Sequence, residues 1–508
     1  MPDDTTDDVR TLHRLGYAQE LARRLSGFSN YAISLSIICI LAGGLTSFHI
    51  GYCAAGGAAV GLGWPLMCVL SLCVAATMGQ VASAFPTAGG LYHWAAILGG
   101  RGWGWATAWF NLAGLVTVLA AINVGTVLFA AGAFYPGKTL DPLEQLAAVA
   151  AVTASQALLN HLGIRVTRVL TDFSGYWILI VAGLLTAFLV VYTDHLDFAR
   201  LVTVTNFTGL PEGDNPVWER TESIAWAFAL ALLLPAYTIT GFDASAHTSE
   251  ETVRAAENVP RGIVRSVLVS GVFGWVMLCA VVLAIQDPAE TAAAGDGAFF
   301  QVLDRALPRS LGLLLCDGAV VAQYLCGLAT VTSASRMAFA FARDGGLPAS
   351  GVFRHVSPTF RTPPAAIWAV SAAAVLFTVY SPLYSTITSV CVIFLYVSYV
   401  LPTAIGFLAH GRWWTEFGPW TLGRWYRPLA VVSVLGCFGL IVIGVQPPNE
   451  KAGYVVAALS AVLAVVWFAR ARHTFPGPPH GVLTMQQQEA IRAAEAAVHE
   501  ETAEGKTP

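Results

Sequence analysis

Apolar stretches of about 20 residues recur along the whole length of this chain, and they constrain its fold more than any other feature. A helix of about that length crosses roughly 30 Å of hydrocarbon, so each stretch is a candidate membrane span. All of them should be helices, because a backbone amide in lipid has to be bonded within its own segment. Twelve spans are predicted, at residues 28–50, 53–83, 105–131, 143–161, 167–192, 223–246, 263–286, 312–341, 364–380, 384–409, 428–446 and 453–470.

The composition agrees with this arrangement of spans. Of the 508 residues, 56% are hydrophobic and only 11% are charged, which is more apolar surface than one soluble core can bury. The predicted fold class is therefore an all-α integral membrane protein that lies in a lipid bilayer. The net charge of −4 argues against a nucleic-acid partner.

Lysine and arginine residues orient the spans, because cytoplasmic loops collect positive charge. With the N-terminus inside the cell, 21 of the 27 basic residues fall on the cytoplasmic side. This distribution predicts a multi-pass protein of the cytoplasmic membrane, with an N-terminal tail (1–27) and a C-terminal tail (471–508) that both lie in the cytoplasm. The exceptions are Lys138, Arg200, Arg220, Arg305, Arg309 and Lys451.

Two of the predicted spans contain residues that weaken a helix. The first span carries Ala42, Gly43 and Gly44 near its middle, and the sixth carries Pro235 and Gly241 within LLLPAYTITGFD. Exposed backbone at mid-span has to face protein or a watery cavity instead of lipid. The alternative for Gly43 and Gly44 is close helix packing, for which glycine is common in membranes. Breaks in both spans favour a transporter.

The spacing of the two interrupted spans predicts an inverted repeat. They are five spans apart, so a second five-helix unit would enter the membrane from the side opposite to the first. The predicted units are residues 28–192 and 223–409, followed by two additional helices at 428–470. In such transporters the substrate lies where the two interrupted helices meet, near the middle of the bilayer.

Helix ends at these breaks suit a small zwitterion or amine. The N-terminal end of a half-helix attracts a carboxylate, and unwound carbonyl groups suit an ammonium group. We assign carboxylate binding to Gly43, Gly44 and Leu45 of the first span. We assign amine contact to the backbone oxygens of Ala236, Tyr237 and Thr240 in the sixth span. The candidate substrate-binding residues are Ala42, Gly43, Gly44, Leu45, Ala236, Tyr237, Thr240 and Gly241. Weaker candidates to line the same cavity are Trp109, Phe110, Asn111, Cys326 and Gly327.

Several motifs resemble the amino acid/polyamine/organocation transporters, and within them the amino acid/choline/GABA permease branch. The resemblance covers nearly the whole chain up to about residue 470. The most specific motifs are GFDASAHTSEETVRAAENVPRGI (241–263) and SRMAFAFARDGGLP (335–348). The others are LGYAQEL (15–21), FSNYAISLSIICILAGGLTSF (28–48), FPTAGGLYHW (85–94) and WFNLAG (109–114).

This resemblance implies a fold in which helices one to five and six to ten form the inverted repeat and the last two flank it. It also implies secondary active import of an amino acid, GABA or a related small amine, with protons as the coupling ion. A choline or polyamine carrier is the alternative within transport. A nutrient sensor that keeps the pocket without transporting is the alternative from another class.

Asp243 and Tyr237 are the functional side chains that the sixth span suggests. An ionisable residue within a span is costly and marks a functional site. Asp243 also resembles an acidic position linked to gating or proton coupling in relatives; the alternative is that it caps the second half of the helix. Tyr237 resembles an aromatic position that lines or closes the pocket, and the alternative is simple packing against a neighbour.

Arg165 and Glu250 are the remaining candidates for coupling and gating. Arg165 resembles a position in the fifth helix where some relatives place a lysine in a sodium site, which would make it a fixed cation. Its alternative is a positive-inside anchor beside Arg168. Glu250 either belongs to a solvated helix face with Arg254 or, as the resemblance implies, lies in an acidic run that pairs with loop arginines such as Arg336 or Arg343 at an inner gate.

No enzymatic chemistry is predicted. No nucleophile, metal cluster or pair of carboxylates converges on the proposed site, and no cofactor is expected. The nine cysteines lie inside or at the edges of predicted spans and have no zinc-like spacing, so we interpret them as packing thiols.

Overall fold

The computed structural model describes residues 2–137, 140–213, 216–380, 384–447, 449–479, 488–489 and 491–496. Within these ranges the chain is helical, and its only β-type pairings are two isolated bridges, one between Leu25 and Thr252 and one between His410 and Trp414. The all-α prediction is confirmed for this part of the chain. Each of the twelve predicted spans overlaps at least one helix.

The first half of the chain begins with a helix in the N-terminal tail and continues with the elements of the first five predicted spans. One helix in this half, α6, lies in a connection where no span was predicted. The helices are α1 (Pro2–Arg14), α2 (Gly27–Ile37), α3 (Ile40–Thr46), α4 (Phe48–Ala55), α5 (Trp64–Ala84), α6 (Leu91–Gly99), α7 (Arg101–Phe134), α8 (Pro142–His161) and α9 (Ile164–Tyr192). A π-helical turn at Ala59–Gly63 precedes α5.

The second half contains the elements of the remaining predicted spans and several short connecting helices. These helices are α10 (Ile224–Ala231), α11 (Leu233–Thr238), α12 (Ala244–His247), α13 (Ala255–Leu283), α14 (Pro288–Ala293), α15 (Ala298–Ala306), α16 (Arg309–Arg343), α17 (Ser350–Phe353), α18 (Pro364–Tyr380), α19 (Tyr384–Ala409), α20 (Tyr426–Gly444), α21 (Glu450–Val466) and α22 (Arg472–Thr474). The short turns are Phe198–Leu201, Ser249–Glu251, Gly295–Gly297, Gly423–Trp425 and Trp467–Ala471.

Among the described residues, nine helical segments are long and apolar enough to cross a membrane. Two shorter apolar helical segments, Ile224–Thr238 and Pro364–Val379, lie where the sixth and ninth spans are predicted. The sixth span is short because it is interrupted, and its hydrophobic length is divided among α10, α11 and α12.

The first span is interrupted, but the position predicted for its break is wrong. The helix ends at Ile37 and restarts at Ile40, and Cys39 between them has non-helical backbone angles (φ −33°, ψ 101°). Ala42, Gly43 and Gly44 lie inside the regular helix α3. The two glycines serve close packing instead: a Cβ on Gly43 would lie 2.8 Å from the Cα of Thr238, and one on Gly44 would touch side chains of α13.

The sixth span breaks between Ile239 and Asp243, as its sequence indicates. Gly241 has φ of +85°, a conformation that glycine adopts without strain, and a Cβ there would lie 2.3 Å from a methyl carbon of Ile37. Pro235 has a different effect from the one predicted. Since it lacks an amide hydrogen, it interrupts the helix at Leu232, between α10 and α11, a few residues before the break itself.

The two breaks lie against one another. Gly43 in α3 touches Thr238 at the end of α11, and Gly241 touches Ile37 at the end of α2. The predicted meeting of two interrupted helices is therefore present. In the first helix, however, the glycines lie in the contact surface between the helices and are not part of the unwound turn.

Candidate functional site

A small cavity lies where the two broken helices meet α7 and α16. Its volume is about 20 Å³, which is room for one water-sized group. None of the described residues that line it carries a charged side chain. The lining residues are Ile37, Cys39, Ala42, Gly43, Val118, Ile122, Tyr237, Thr238, Thr240 and Cys326. A larger hollow of about 500 Å³ lies in the loop at residues 206–222, away from both breaks.

Two helix ends of opposite polarity face this cavity. Helix α3 begins at Ile40, and the first amide hydrogens of a helix have no partner within it. Helix α11 ends at Thr238, and the last carbonyl oxygens of a helix are likewise unpaired within it. The dipoles make the first end favourable for an anionic group and the second for a cationic group. The cavity can thus meet both charges of a zwitterion without any charged side chain.

Helix α16 supplies partners for the backbone of the first helix. The thiol of Cys326 donates to the carbonyl oxygen of Ile37 at 3.4 Å, and the amide nitrogen of Gln323 donates to the carbonyl oxygen of Leu41 at 3.5 Å. Carbonyl groups that a broken helix leaves unpaired have to find such partners when they are buried. These contacts help to explain why the helix ends at Ile37 in a run of apolar residues.

Asp243 lies directly beyond the break in the sixth span and is fully buried. Its Oδ1 accepts a hydrogen bond from the Tyr399 hydroxyl at 2.8 Å, and its Oδ2 accepts one from Asn111 Nδ2 at 3.0 Å. The same Tyr399 hydroxyl accepts from the amide of Gly241 at 3.0 Å. The carboxyl group is therefore tied to α7, to α19 and to the unwound turn. A buried carboxylate without such partners would be very costly.

His247, one turn after Asp243, completes this cluster and also has a fully buried side chain. Its Nδ1 lies 3.1 Å from the carbonyl oxygen of Ala88, and its Nε2 lies 3.3 Å from Asp243 Oδ2. A carbonyl oxygen only accepts, so Nδ1 must carry a proton. A second proton then has to lie between Nε2 and Oδ2, either on the imidazole or on the carboxyl group. The geometry thus joins a buried imidazole to a buried carboxyl group through one hydrogen bond.

Two bidentate ion pairs connect the turn after α12 to the end of α16. The Arg336 guanidinium donates to both oxygens of Glu251 at 3.0 and 3.1 Å, and both side chains are fully buried. The Arg343 guanidinium donates to both oxygens of Glu250 at 3.0 and 2.8 Å. The pairing of this acidic run with arginines such as Arg336 and Arg343 is as the sequence suggested. The Glu250 side chain is fully buried, so it does not belong to a solvated helix face, which was the alternative.

Glu250 also connects this ion pair to the Asp243 cluster. Its Oε1 accepts from the amide of Ala88 at 3.0 Å, and the carbonyl oxygen of Ala88 is the partner of His247. Burial alone would raise the pKa of the Glu250 carboxyl group, but the Arg343 charge and the hydrogen bonds from Arg343 and Ala88 outweigh burial and hold the pKa below its usual value. Glu250 is therefore an anion at neutral pH.

The N-terminal tail closes over the same region. Arg23 Nη1 donates to the carbonyl oxygens of Ser249 at 3.2 Å and Thr252 at 2.5 Å. The backbone amides of Arg24 and Leu25 donate to the carbonyl oxygen of Glu251 at 2.9 and 2.7 Å. These bonds fasten the tail to the turn that carries both acidic residues.

A second buried cluster joins the tail to the end of α16. Asp344 Oδ2 accepts from the hydroxyl groups of Tyr17 at 2.9 Å and Tyr92 at 2.7 Å and lies 2.9 Å from His93 Nε2. Burial would raise the pKa of Asp344, but the hydrogen bond and charge of His93, the charge of Arg343 and the hydrogen bond from Tyr92 outweigh it and hold the pKa below its usual value. The LGYAQEL, FPTAGGLYHW and SRMAFAFARDGGLP motifs meet in this cluster.

The structure brings half of the eight candidate substrate-binding residues to the cavity. Ala42, Gly43, Tyr237 and Thr240 line it. The other four lie elsewhere. Gly44 packs against α13, Leu45 lines a separate apolar space, Ala236 is buried with its carbonyl oxygen accepting from Tyr396, and Gly241 contacts Ile37.

Arg165 does not reach the site. Its side chain is exposed at the start of α9, so the interpretation of this residue as a buried fixed cation is wrong. A cation that replaces a bound ion would have to be buried among the helices, whereas an exposed arginine at a helix start fits the alternative, a surface anchor.

Sequence reasoning missed several residues of the site. Ile37, Cys39, Val118, Ile122 and Thr238 line the cavity, and Tyr399 and His247 hold Asp243. His247 had a signal, since it lies four residues after Asp243 and so on the same helical face. Tyr399 had none, because a tyrosine in an apolar span is unremarkable by itself. Two weaker candidates do take part: Cys326 lines the cavity and Asn111 binds Asp243.

No group of three or more potential metal ligands occurs among the described residues. The cavity offers helix ends, hydroxyl groups and thiols to a ligand.

Comparison with known proteins gives consistent matches over almost the whole chain. Residues 25–468 match the model of a family described as amino acid permease. The amino-acid permease BAT1 of Arabidopsis thaliana is 33% identical over 506 residues, which cover 93% of this chain and 96% of that protein. The BAT1 homolog of Oryza sativa subsp. japonica is 32% identical over 501 residues, covering 92% and 94%. A GABA-specific permease of Saccharomyces cerevisiae is 26% identical over 472 residues, covering 88% and 80%.

Proposed function

Because the chain belongs to the amino acid permease family, a family of non-enzymatic membrane transporters, we propose that it imports an amino acid, GABA or a related small amine across the cytoplasmic membrane by proton-coupled alternating access. The observation that carries this proposal is the uncharged cavity between two apposed helix breaks. The amino end of α3 receives the substrate carboxylate, and the carbonyl end of α11 receives its ammonium group.

The cavity also favours a zwitterion over the alternative cargoes. A polyamine needs carboxylates to balance its charges, and none lines the described part of the cavity. Choline needs several aromatic faces, whereas Tyr237 is the one aromatic residue among the described lining residues. One of the relatives is a GABA-specific permease, and GABA has one carboxylate and one amine, as the proposed substrate does.

Substrate binding requires the helix ends to separate. A space of about 20 Å³ holds no more than one water-sized group, so the arrangement corresponds to a closed state. On the cytoplasmic side, opening has to separate Glu250 from Arg343 and Glu251 from Arg336. We assign these two ion pairs, with the N-terminal tail over them, to the inner gate, and place both termini in the cytoplasm.

Asp243 and His247 are the groups that couple transport to protons. They share a proton in the closed state, and Asp243 is bonded through Tyr399 to the unwound turn that contributes to the site. Loss or gain of this proton alters which hydrogen bonds the turn can make. Proton binding and the geometry of the break are linked in this way.

Uptake by purified protein in lipid vesicles tests the proposal. Radiolabelled amino acids, GABA, choline and polyamines are offered with and without an imposed proton gradient. The expected result is accumulation of at least one zwitterion, and a greater accumulation when the vesicle exterior is acidic. Accumulation of choline or a polyamine alone would overturn the substrate assignment. Binding without accumulation under any gradient would favour a sensor.

Two variants test the site. Tyr237→Ala should weaken substrate binding, because it removes the aromatic wall of the cavity. The control Tyr454→Ala removes a highly exposed tyrosine on α21 and should leave uptake unchanged. If Tyr237→Ala keeps the wild-type substrate response in a thermal-shift assay, the cavity is not the binding site.

A further inference from the structure

Two thiols face the same cavity, one from the break in the first helix and one from α16. Cys39 is the unwound residue between α2 and α3, and Cys326 lies on α16. Both residues line the cavity, whose volume is only about 20 Å³, so the two thiols lie close together. Both residues are free cysteines in this structure and almost completely buried.

The two cysteines lie on separate helices, so they are not packed within one rigid element. The first helix is interrupted at Cys39, whereas α16 is a continuous helix of 35 residues. The Cys326 thiol already bonds to the carbonyl oxygen of Ile37, so it lies directly over the unwound turn. A covalent bond between the two sulfurs would connect a broken helix to an unbroken one.

We propose that Cys39 and Cys326 form an oxidisable dithiol whose disulfide fastens the first helix to α16 and stops transport. A peroxide is the oxidant class. One thiol releases its proton, and the resulting thiolate attacks a peroxide oxygen. The O–O bond breaks to give a sulfenic acid and a hydroxide, which takes up the released proton and forms one water. The second thiol attacks the sulfenic sulfur, the S–O bond breaks, and the S–S bond forms with release of the second water. Two thiols and one hydrogen peroxide thus give one disulfide and two waters.

Access to the thiols depends on the state of the cavity. In the closed state the two residues are 1% and 0% exposed, and a buried thiol reacts slowly because the thiolate is disfavoured there. Opening of the cavity admits water and oxidant. A bound substrate occupies the same space, so it should protect both thiols. This protection rests on the proposed function, whereas disulfide formation itself does not.

Mass spectrometry of the purified full chain tests the disulfide without any transport measurement. Hydrogen peroxide should give a peptide in which Cys39 is linked to Cys326, and dithiothreitol should remove it. Cys39→Ser and Cys326→Ser should each abolish the link, while Cys316→Ser should retain it. Cys316 is a matched control because it is also buried on α16 but lines a different apolar space. Absence of the linked peptide in the wild type, with other cysteines oxidised, would overturn the proposal.

An arsenical gives a second test that needs no oxidation. Phenylarsine oxide condenses with two adjacent thiols to form two As–S bonds and one water. Its dithiol adduct should form in the wild type and in Cys316→Ser, and should be lost in either serine variant at the cavity. If the single-cysteine variants retain the bridged adduct, the two thiols do not form the site.

Uptake in vesicles then tests the functional consequence, with each protein compared with itself before oxidation. Peroxide should abolish uptake by the wild type and by Cys316→Ser, and dithiothreitol should restore it. Cys326→Ser should keep its own starting rate. If the disulfide-linked protein still transports substrate, the proposal that the disulfide stops transport is wrong. A protein that links but never transports any tested substrate would instead contradict the proposed function.

Discussion

Removing one partner of the buried ion pair between Glu251 and Arg336 should lower the free energy of unfolding far more than removing one partner of an exposed pair. Both side chains are fully buried, and the guanidinium makes two hydrogen bonds of 3.0 and 3.1 Å to the carboxylate. Glu251→Gln keeps the size of the side chain but removes its charge. Since arginine stays protonated, it is left as a buried cation with the Ser335 hydroxyl as a neutral partner.

Removal of one partner of a buried pair costs about 3–5 kcal/mol, mainly because the remaining charge is unpaired. The matched control is Glu257→Gln. Glu257 pairs with Arg254, and these side chains are 29% and 49% exposed, so its loss should cost roughly 0–1 kcal/mol. The double variant Glu251→Leu with Arg336→Met should regain most of the loss, because it leaves no buried charge.

The assay is reversible unfolding of the purified protein in mixed micelles, followed by tryptophan fluorescence. The expected order of unfolding free energies is wild type, then Glu257→Gln, then the double variant, with Glu251→Gln lowest. If Glu251→Gln is no less stable than Glu257→Gln, the buried pair does not hold the ends of these helices together and the gate assignment fails with it.

Three further perturbations have expected outcomes. Gly43→Ala places a Cβ 2.8 Å from the Cα of Thr238, and such overpacking costs about 1–3 kcal/mol, so uptake should fall while Gly183→Ala, with open space around it, transports normally. Asp243→Asn removes the site of the shared proton, so substrate exchange should survive without its response to a proton gradient; a preserved response would place coupling elsewhere. The pKa of Glu250 is held below its ordinary 4.5, so its contribution to stability is present above about pH 4.5 and is lost as the pH falls through the lower folded value. The stability gap between the wild type and Glu250→Gln should therefore be widest at neutral pH and close under acid, and a gap that widens under acid would contradict this assignment.

Hydropathy was sufficient to predict the helical class, because the need to satisfy the backbone in lipid acts on each segment separately. The break in the sixth span could also be predicted from the sequence. Glycine adopts, without strain, the positive φ that Gly241 has and that other residues avoid. The acidic run after α12 indicated a partner for its buried charge, and the two arginines on α16 provided it.

The break in the first span was misplaced for a physical reason. Gly43 and Gly44 weaken a helix in isolation, but next to Thr238 and α13 they permit a close approach that stabilises the helix where it stands. Ile38 and Cys39 carry no breaking signal. Contacts from α16 and the turn at Gly241 lie around this position and are distant in sequence.

The sequence by itself determined that the chain forms apolar helices, that two of them are interrupted, and that one carboxylate lies beside an interruption. Only the tertiary structure decided which residues line the cavity, which hydroxyl, amide and imidazole groups hold Asp243, and that Arg165 is exposed. Hydrophobicity and glycine content are properties of a local segment. A cavity lining and a shared proton depend on which faces of separate helices meet, and that choice is made by packing across the whole molecule.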